Sequence, residues 1–417
     1  MGGRRVGVSA TPQPSVPSSW RRQLWTAAGC AAFGVLVHLA GHAVPVQLAT
    51  IGLGIGVIGA AFLLAWAADA GEAVFSGGLV LATVALVAVL PEFVIEIRFA
   101  FIGQTELVSA NLTGATRLLI TGAIAMPLVL AFVARRRNQA AEPFQLAPSR
   151  RLELAILLIA AIFAIQIIAR GSLTVIDGVF LVSLYVLYAR RVQGTQEEEP
   201  GAVGVPAGLL TLPPQTLRLW ITGLIVGAAS VVMMIANPFA DALLATGASV
   251  GIDPYLLIQT IVPAASEAPE FVVVAVLVAN RRPAQGLALL LASSLSQWTL
   301  ALGALPFAYM AGGGGMALPL AGRELIEISL TLALTLFCVA SLAVLRPNRF
   351  DAWLVVGVFA VQFVYPTPVV RVAATFVFLV YAIDLFVAHR RSVLPLFRTA
   401  FRGPDAQAEE AARTPRS

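Results

Sequence analysis

Lysine is missing altogether. All 27 basic residues of this 417-residue chain are arginine, and only 12% of its residues carry a charge of either sign. The arginines fall mostly between apolar runs, so they read as orientation signals in short loops, not as a nucleic-acid-binding face. Cysteine is confined to Cys30 and Cys338, far apart and each inside an apolar segment, where a thiol packs as a small hydrophobe; neither a disulfide nor a metal site follows from them. There are three histidines and no His-Glu-x-x-His zinc motif, and no obvious Ser or Asp catalytic pair stands out, which leaves an enzymatic reading without a motif. His38 and His42 are expected to share a helix face near one membrane surface, but no third ligand accompanies them. The run Gly312 to Gly315 has no lysine or strand beside it, so it reads as a flexible loop and not as a phosphate loop. No cofactor is expected.

Apolar residues are abundant: 59% of the chain is hydrophobic and the mean hydropathy is +0.87. A bilayer-crossing helix needs roughly 20 mainly apolar residues, and such runs recur from Trp25 to Arg390. The chain is therefore expected to be an all-α polytopic membrane protein, with the lipid bilayer as its main partner. Its first apolar run follows a polar, Pro/Ser-rich leader and continues at full spanning length, unlike a cleaved signal. Splitting at charge, Pro and Gly gives twelve spans: 23 to 42, 46 to 69, 76 to 103, 107 to 134, 152 to 170, 173 to 189, 217 to 236, 252 to 280, 284 to 311, 324 to 345, 350 to 365 and 367 to 389. Arginine accumulates in alternate loops, whereas the intervening loops hold little beyond Arg170 and Arg323. That asymmetry predicts both termini on the cytoplasmic side of a bacterial-type inner (plasma) membrane.

The two halves resemble each other. The stretch from Gly56 to Phe93 has a counterpart from Gly227 to Phe271, and Ile176 to Arg191 has an echo in Phe350 to Val364. The organisation predicted is a cytoplasmic tail (1–22), an extra helix (23–42), a first repeat (46–190), a cytoplasmic linker (191–216), a second repeat (217–365), a second extra helix (367–389) and a tail (390–417). Five helices per repeat is an odd number, so the repeats enter the membrane from opposite sides and are inverted. The acidic run Glu197 to Glu199 reads as a solvated part of the linker, and both tails read as disordered.

Inverted repeats place a binding site near the midplane, on helices interrupted by Pro or Gly. Leu90-Pro91-Glu92-Phe93 and Ala268-Pro269-Glu270-Phe271 occupy matching places. Each proline removes a backbone donor, so each glutamate stands beside loosened carbonyls, hard oxygens of the kind Ca2+ or Na+ accepts. An ionisable group at bilayer depth costs at least about 2.5 to 3.5 kcal/mol on insertion scales, which argues against two symmetry-related glutamates facing lipid by accident.

The run Leu90 to Thr116, together with Ser266 to Gln297, resembles the alpha-repeat signature of the cation/Ca2+ exchanger superfamily, which includes Na+/Ca2+ and Ca2+/H+ exchangers. Asn111 and Gly114 fall on the family's G-N-x-x-G-S-N, and Ala292, Ser293 and Ser294 fall on its last three residues in the second copy. The resemblance covers both repeats and implies an ion-binding pair, Glu92 and Glu270. It also implies departures: Ala88 and Val89 stand in place of Thr-Ser, Ala115 in place of Ser, and Leu119 in place of an amide or acid. The second copy keeps Ser266, Ser293 and Gln297 and adds a carboxylate, Glu267.

Carboxylates gathered at low dielectric can retain a proton at neutral pH and release it as a cation enters. The ligand set therefore points to cation/H+ antiport, with Ca2+ ahead of Na+ as the transported ion and H+ as the coupling ion. Na+/Ca2+ or Na+/H+ exchange is the alternative, and a transport-inactive scaffold or sensor is the alternative of another class. Glu96, Arg98, Glu106 and Arg117 are expected to pair with one another, or else one arginine enters the cation site as a tethered charge. Gln104, Thr105 and Asn111 are candidates to line a vestibule.

Overall fold

The computed structural model describes residues 18–72, 74, 90–136, 144–192 and 202–390. Its long elements are α1 (Trp20–Ala40), α2 (Val46–Glu72), α3 (Leu90–Phe101), α4 (Thr105–Arg136), α5 (Arg151–Arg170) and α6 (Val175–Val192). After a one-turn helix α7 (Val205–Leu209) come α8 (Pro214–Val250), α9 (Pro254–Ser266), α10 (Ala268–Ala279), α11 (Pro283–Ser296), α12 (Leu302–Ala311), α13 (Gly322–Leu342), α14 (Arg349–Val364) and α15 (Pro368–Ala388). Two three-residue strands, β1 (Ser172–Thr174) and β2 (Ala317–Pro319), pair antiparallel with Leu173 opposite Leu318. Among the described residues, eight helical runs are individually long and apolar enough to cross a bilayer, and the bent pair α9–α10 makes a ninth. The chain is a multi-pass membrane protein.

A helix lies under each expected span, although the first part of 76 to 103, with Ala88 and Val89, falls outside the described residues. Glu197 to Glu199 and most of both tails also lie outside them. Two expectations are corrected, on the span ending at 236 and on His42, and the linker gains a short helix. The span expected to end at 236 continues to Val250, because Pro238 removes only one backbone bond and the rest of the helix carries on through it. The expected linker holds α7, whose Gly208 packs against the Trp20 ring. His42 leaves the helix face of His38, because α1 stops at Ala40 and Gly41 takes a positive φ of 53°.

Small residues set the closest packing, as expected where helices must approach without help from water exclusion. α1 lies along α2, and a Cβ added at Gly34 would stand 2.6 Å from the Cα of Gly56. α2 in turn packs along α8, joined near one end by Thr50 and Thr246, whose hydroxyls are 2.7 Å apart. α4 is central, touching α9, α11, α13 and α14, while α15 packs on α13 and α14. The loops sort onto two faces. On one, β1 meets β2 and Arg323 pairs with Asp253 at 2.5 Å; on the other, the Leu146 N–H donates to the Leu345 carbonyl at 2.9 Å.

Candidate functional site

The site is built around a broken helix. α9 and α10 meet at a 51° bend, with Ser266 closing the first and Glu267 standing between them. Pro269 has no N–H to give to the Ala265 carbonyl four residues earlier, so that oxygen has lost its usual helical donor at the break. Pro91 and Glu92 stand at the head of the described part of α3, the sequence counterpart of Pro269 and Glu270. A second irregularity faces the break: between α11 and α12 the chain widens into a π turn, Gln297–Ala301. Such turns re-aim side chains and are found often at functional sites.

These irregularities gather acidic side chains. Glu92 lies against Ser266 and faces Glu270, and Glu270 lies against Ser293 and Glu267. Glu267 accepts a hydrogen bond from the Gln297 Nε2 at 3.4 Å and faces Glu92 and Glu96. Glu92, Glu96 and Glu267 are buried, and Glu270 is partly buried with its Oε2 buried and unpartnered. The Ser266 hydroxyl also lies within 3.0 Å of the Val262 carbonyl, to which it can donate. The six residues expected to bind the ion are thus together: Glu92, Glu267, Glu270, Ser266, Ser293 and Gln297.

Glu96, expected to pair with the arginines near it in sequence, lies beside this cluster instead. It stands one turn beyond Glu92 on the same face, accepts from the Asn111 Nδ2 at 3.1 Å, and keeps a buried, unpartnered Oε2. The i, i+4 spacing was the available signal. Asn111 is therefore part of this cluster and does not line an outer vestibule. Among the described residues no three acidic or imidazole groups converge tightly enough to enclose one ion by themselves. Hydroxyls, the Gln297 amide and carbonyls at the helix break are the further hard oxygens within the arrangement, and this donor set suits Ca2+ or Na+.

The expected mutual pairing of Glu96, Arg98, Glu106 and Arg117 does not occur, because each side chain finds a nearer partner or solvent. Arg98 forms a two-point pair with Asp241 of α8, at 2.8 and 2.9 Å. Glu106 is exposed at the head of α4 and forms no ion pair among the described residues. Arg117 turns away from the acidic cluster to Glu327 of α13 at 2.7 Å and to the Gln362 Oε1 at 3.3 Å. Gln104 is exposed, and the Thr105 hydroxyl donates to Glu324 at 3.2 Å.

The sequence matches the family model described as sodium/calcium exchanger protein over residues 45–192 and 220–388. Among solved structures it is similar to the H+/Ca2+ exchanger CAX, with 30% identity and a TM-score of 0.84, covering 92% of this chain and 98% of that one. It is also similar in fold to the Ca2+/H+ antiporter protein YfkE, at 16% identity and a TM-score of 0.58, covering 88% of this chain and 99% of that one. No curated protein sequence matches it. With both halves of the chain inside the family match, and the two Pro-Glu pairs gathered into one acidic cluster, the chain belongs to the sodium/calcium exchanger family.

Proposed function

We propose that the chain is a secondary active cation/proton antiporter that exchanges Ca2+ for H+ by alternating access, not an enzyme. The observation that carries this reading is the acidic quartet Glu92, Glu96, Glu267 and Glu270, gathered beside the break between α9 and α10. Four carboxylates cannot all be ionised there without counter-charge, so either protons or a cation must neutralise them. A dication replaces protons at the same oxygens, which is the coupling an antiporter requires. The 30% identical structure of an H+/Ca2+ exchanger supports the same ion pair.

The match of both halves to one family, and the matching Pro-Glu pairs on α3 and α10, support two inverted five-helix repeats with an extra helix at each end. On that plan α2 and α8, packed along each other, shift relative to a core formed by α3, α4 and α9 to α12. The termini are placed on the cytoplasmic side of the inner membrane, as the arginine asymmetry predicts. A transport-inactive scaffold is less well supported, because buried Glu96 and Asn111 restore to the first half ligands that its lost hydroxyls seemed to remove.

The test is reconstitution of the purified protein in proton-tight liposomes, with a Ca2+ gradient imposed and internal pH followed. Ca2+-driven proton flux is expected, with its loss in Glu92→Gln and in Glu270→Gln. Absence of flux with Ca2+, Na+ and K+ alike, or full flux in both variants, would refute the proposal. Lowering the pH should weaken the apparent Ca2+ affinity, since protons occupy the carboxylates the ion needs; a pH-independent affinity would separate Ca2+ binding from proton release.

A further inference from the structure

Apart from the acidic quartet, three buried charged residues from three helices meet. Glu327 of α13 pairs with Arg117 of α4 and also with Arg371 of α15. The other polar partners are neutral: the Gln362 Oε1 accepts from Arg117, and the Gln259 Oε1 accepts from Arg371 at 3.2 Å. Gln259 also donates to Glu327 at 3.0 Å. Nearby Arg323 is already matched by Asp253, and both Arg323 and Arg371 lie over the Tyr255 ring. Two guanidiniums therefore share one carboxylate, which leaves one positive charge uncompensated. The Nε of Arg371 is buried and has no hydrogen-bond partner, in a residue that is 4% exposed.

Both arginines line a cavity of about 380 Å3 between α4, α9 and α14. Its walls are apolar, with Leu256, Leu257 and Phe359, and its rim is formed by Ile252 and Phe363, which are 45% and 65% exposed on the outside of the helix bundle. The charged end lies toward one end of α9, α13, α14 and α15. Gln259, Glu327 and Arg371 each lie within five residues of the start of their helices, roughly 8 Å or less at 1.5 Å per residue. Gln362 lies two residues from the end of α14, and the Arg117 side chain reaches it along the direction helical side chains lean. A cation vestibule is disfavoured by the sign of the charge, and a soluble anion by the apolar walls and the opening toward lipid.

We propose that this cavity binds an anionic phospholipid, with its phosphodiester on Arg117 and Arg371 and its acyl chains leaving between α9 and α14. Basic pockets between transmembrane helices recognise lipid headgroups in this way. The lipid then supplies the missing negative charge and ties α15, an element outside the paired halves, to α4 and α13.

The test is native mass spectrometry of the full-length protein titrated with dioleoyl phosphatidylglycerol or dioleoyl phosphatidylcholine. The wild type is expected to retain phosphatidylglycerol preferentially. Arg371→Gln should lower its occupancy roughly fivefold, the value of about 1 kcal/mol per basic residue near a membrane surface, and Arg371→Lys should retain most of it. Leu256→Trp narrows the cavity without touching a charge and should lower occupancy too, so the test survives if the arginine variant folds poorly. Inorganic phosphate at millimolar concentration should not displace the lipid. Equal retention of phosphatidylcholine, unchanged retention in Arg371→Gln or Leu256→Trp, or full displacement by inorganic phosphate would each overturn the proposal. So would Ca2+ binding that is lost in Arg371→Gln. None of these readouts depends on transport, so they are independent of the antiporter reading.

Discussion

Glu96 and Arg98 lie two residues apart on one helix and behave oppositely. Glu96 is buried, tied to Asn111, and close enough to Glu92 and Glu267 to feel their charge, whereas Arg98 reaches Asp241, which is 55% exposed. Burial decides what each change costs. Asn111→Ala removes the group that orients Glu96, and loss of such a partner to a metal-binding carboxylate typically weakens binding 10- to 100-fold. An apparent Ca2+ affinity about 10-fold weaker, read from the calcium dependence of proton flux, is therefore expected of this variant. Asp241→Asn is expected to change thermal stability by less than about 1 kcal/mol, because an exposed ion pair is screened by solvent. A thermal melt of the detergent-solubilised protein would show the contrast, and a large drop for Asp241→Asn would mean that α3 and α8 are held together by that pair.

At the scale of elements, the site depends on close backbone approach as much as on side chains. Pro263 leaves the Gln259 carbonyl without its helical donor, and that carbonyl lies where a Cβ on Gly114 would stand, at 2.1 Å. Gly114→Val must push α9 away from α4. Overpacking of this kind costs about 1 to 3 kcal/mol or more, so a lower melting temperature and lost Ca2+-driven flux are expected together. Melting at the wild-type temperature would show that the two helices have room to spare. The sequence showed that Gly114 sat in a motif but not why, because its obstacle is a carbonyl on another helix. The break at Pro269 was legible, since proline acts on its own backbone. The π turn at Gln297 was not, since an extra residue in a helical turn leaves no mark on an apolar pattern. The Arg117, Glu327 and Arg371 cluster was hidden for a related reason: its members come from three helices far apart in the chain, and Arg117 has acidic residues nearer in sequence that it does not use.

At the scale of the whole molecule, the two halves meet along α2 and α8, and alternating access requires these helices to move relative to the helices that hold the glutamates. The proposed division rests on repeated apolar spans and a doubled Pro-Glu motif, whereas the contacts across the α2–α8 seam are set by tertiary packing. Thr50 and Thr246 sit across the α2–α8 seam with hydroxyl oxygens 2.7 Å apart, and Gln47 reaches Ser249 one turn away at 3.4 Å. Side chains that close can accept a disulfide, whose Cβ atoms need a separation of about 3.5 to 4.5 Å. The double variant Thr50→Cys/Thr246→Cys is therefore expected to cross-link under mild oxidant. If α2 and α8 slide past each other during each cycle, oxidation should abolish Ca2+-driven proton flux and reductant should restore it. Wild type, with Cys30 on α1 and buried Cys338 on α13, should be unaffected by the same treatment. Full flux in a protein shown by mass to be cross-linked would instead mean that the two helices move as one body, with access switched by their joint motion over the core.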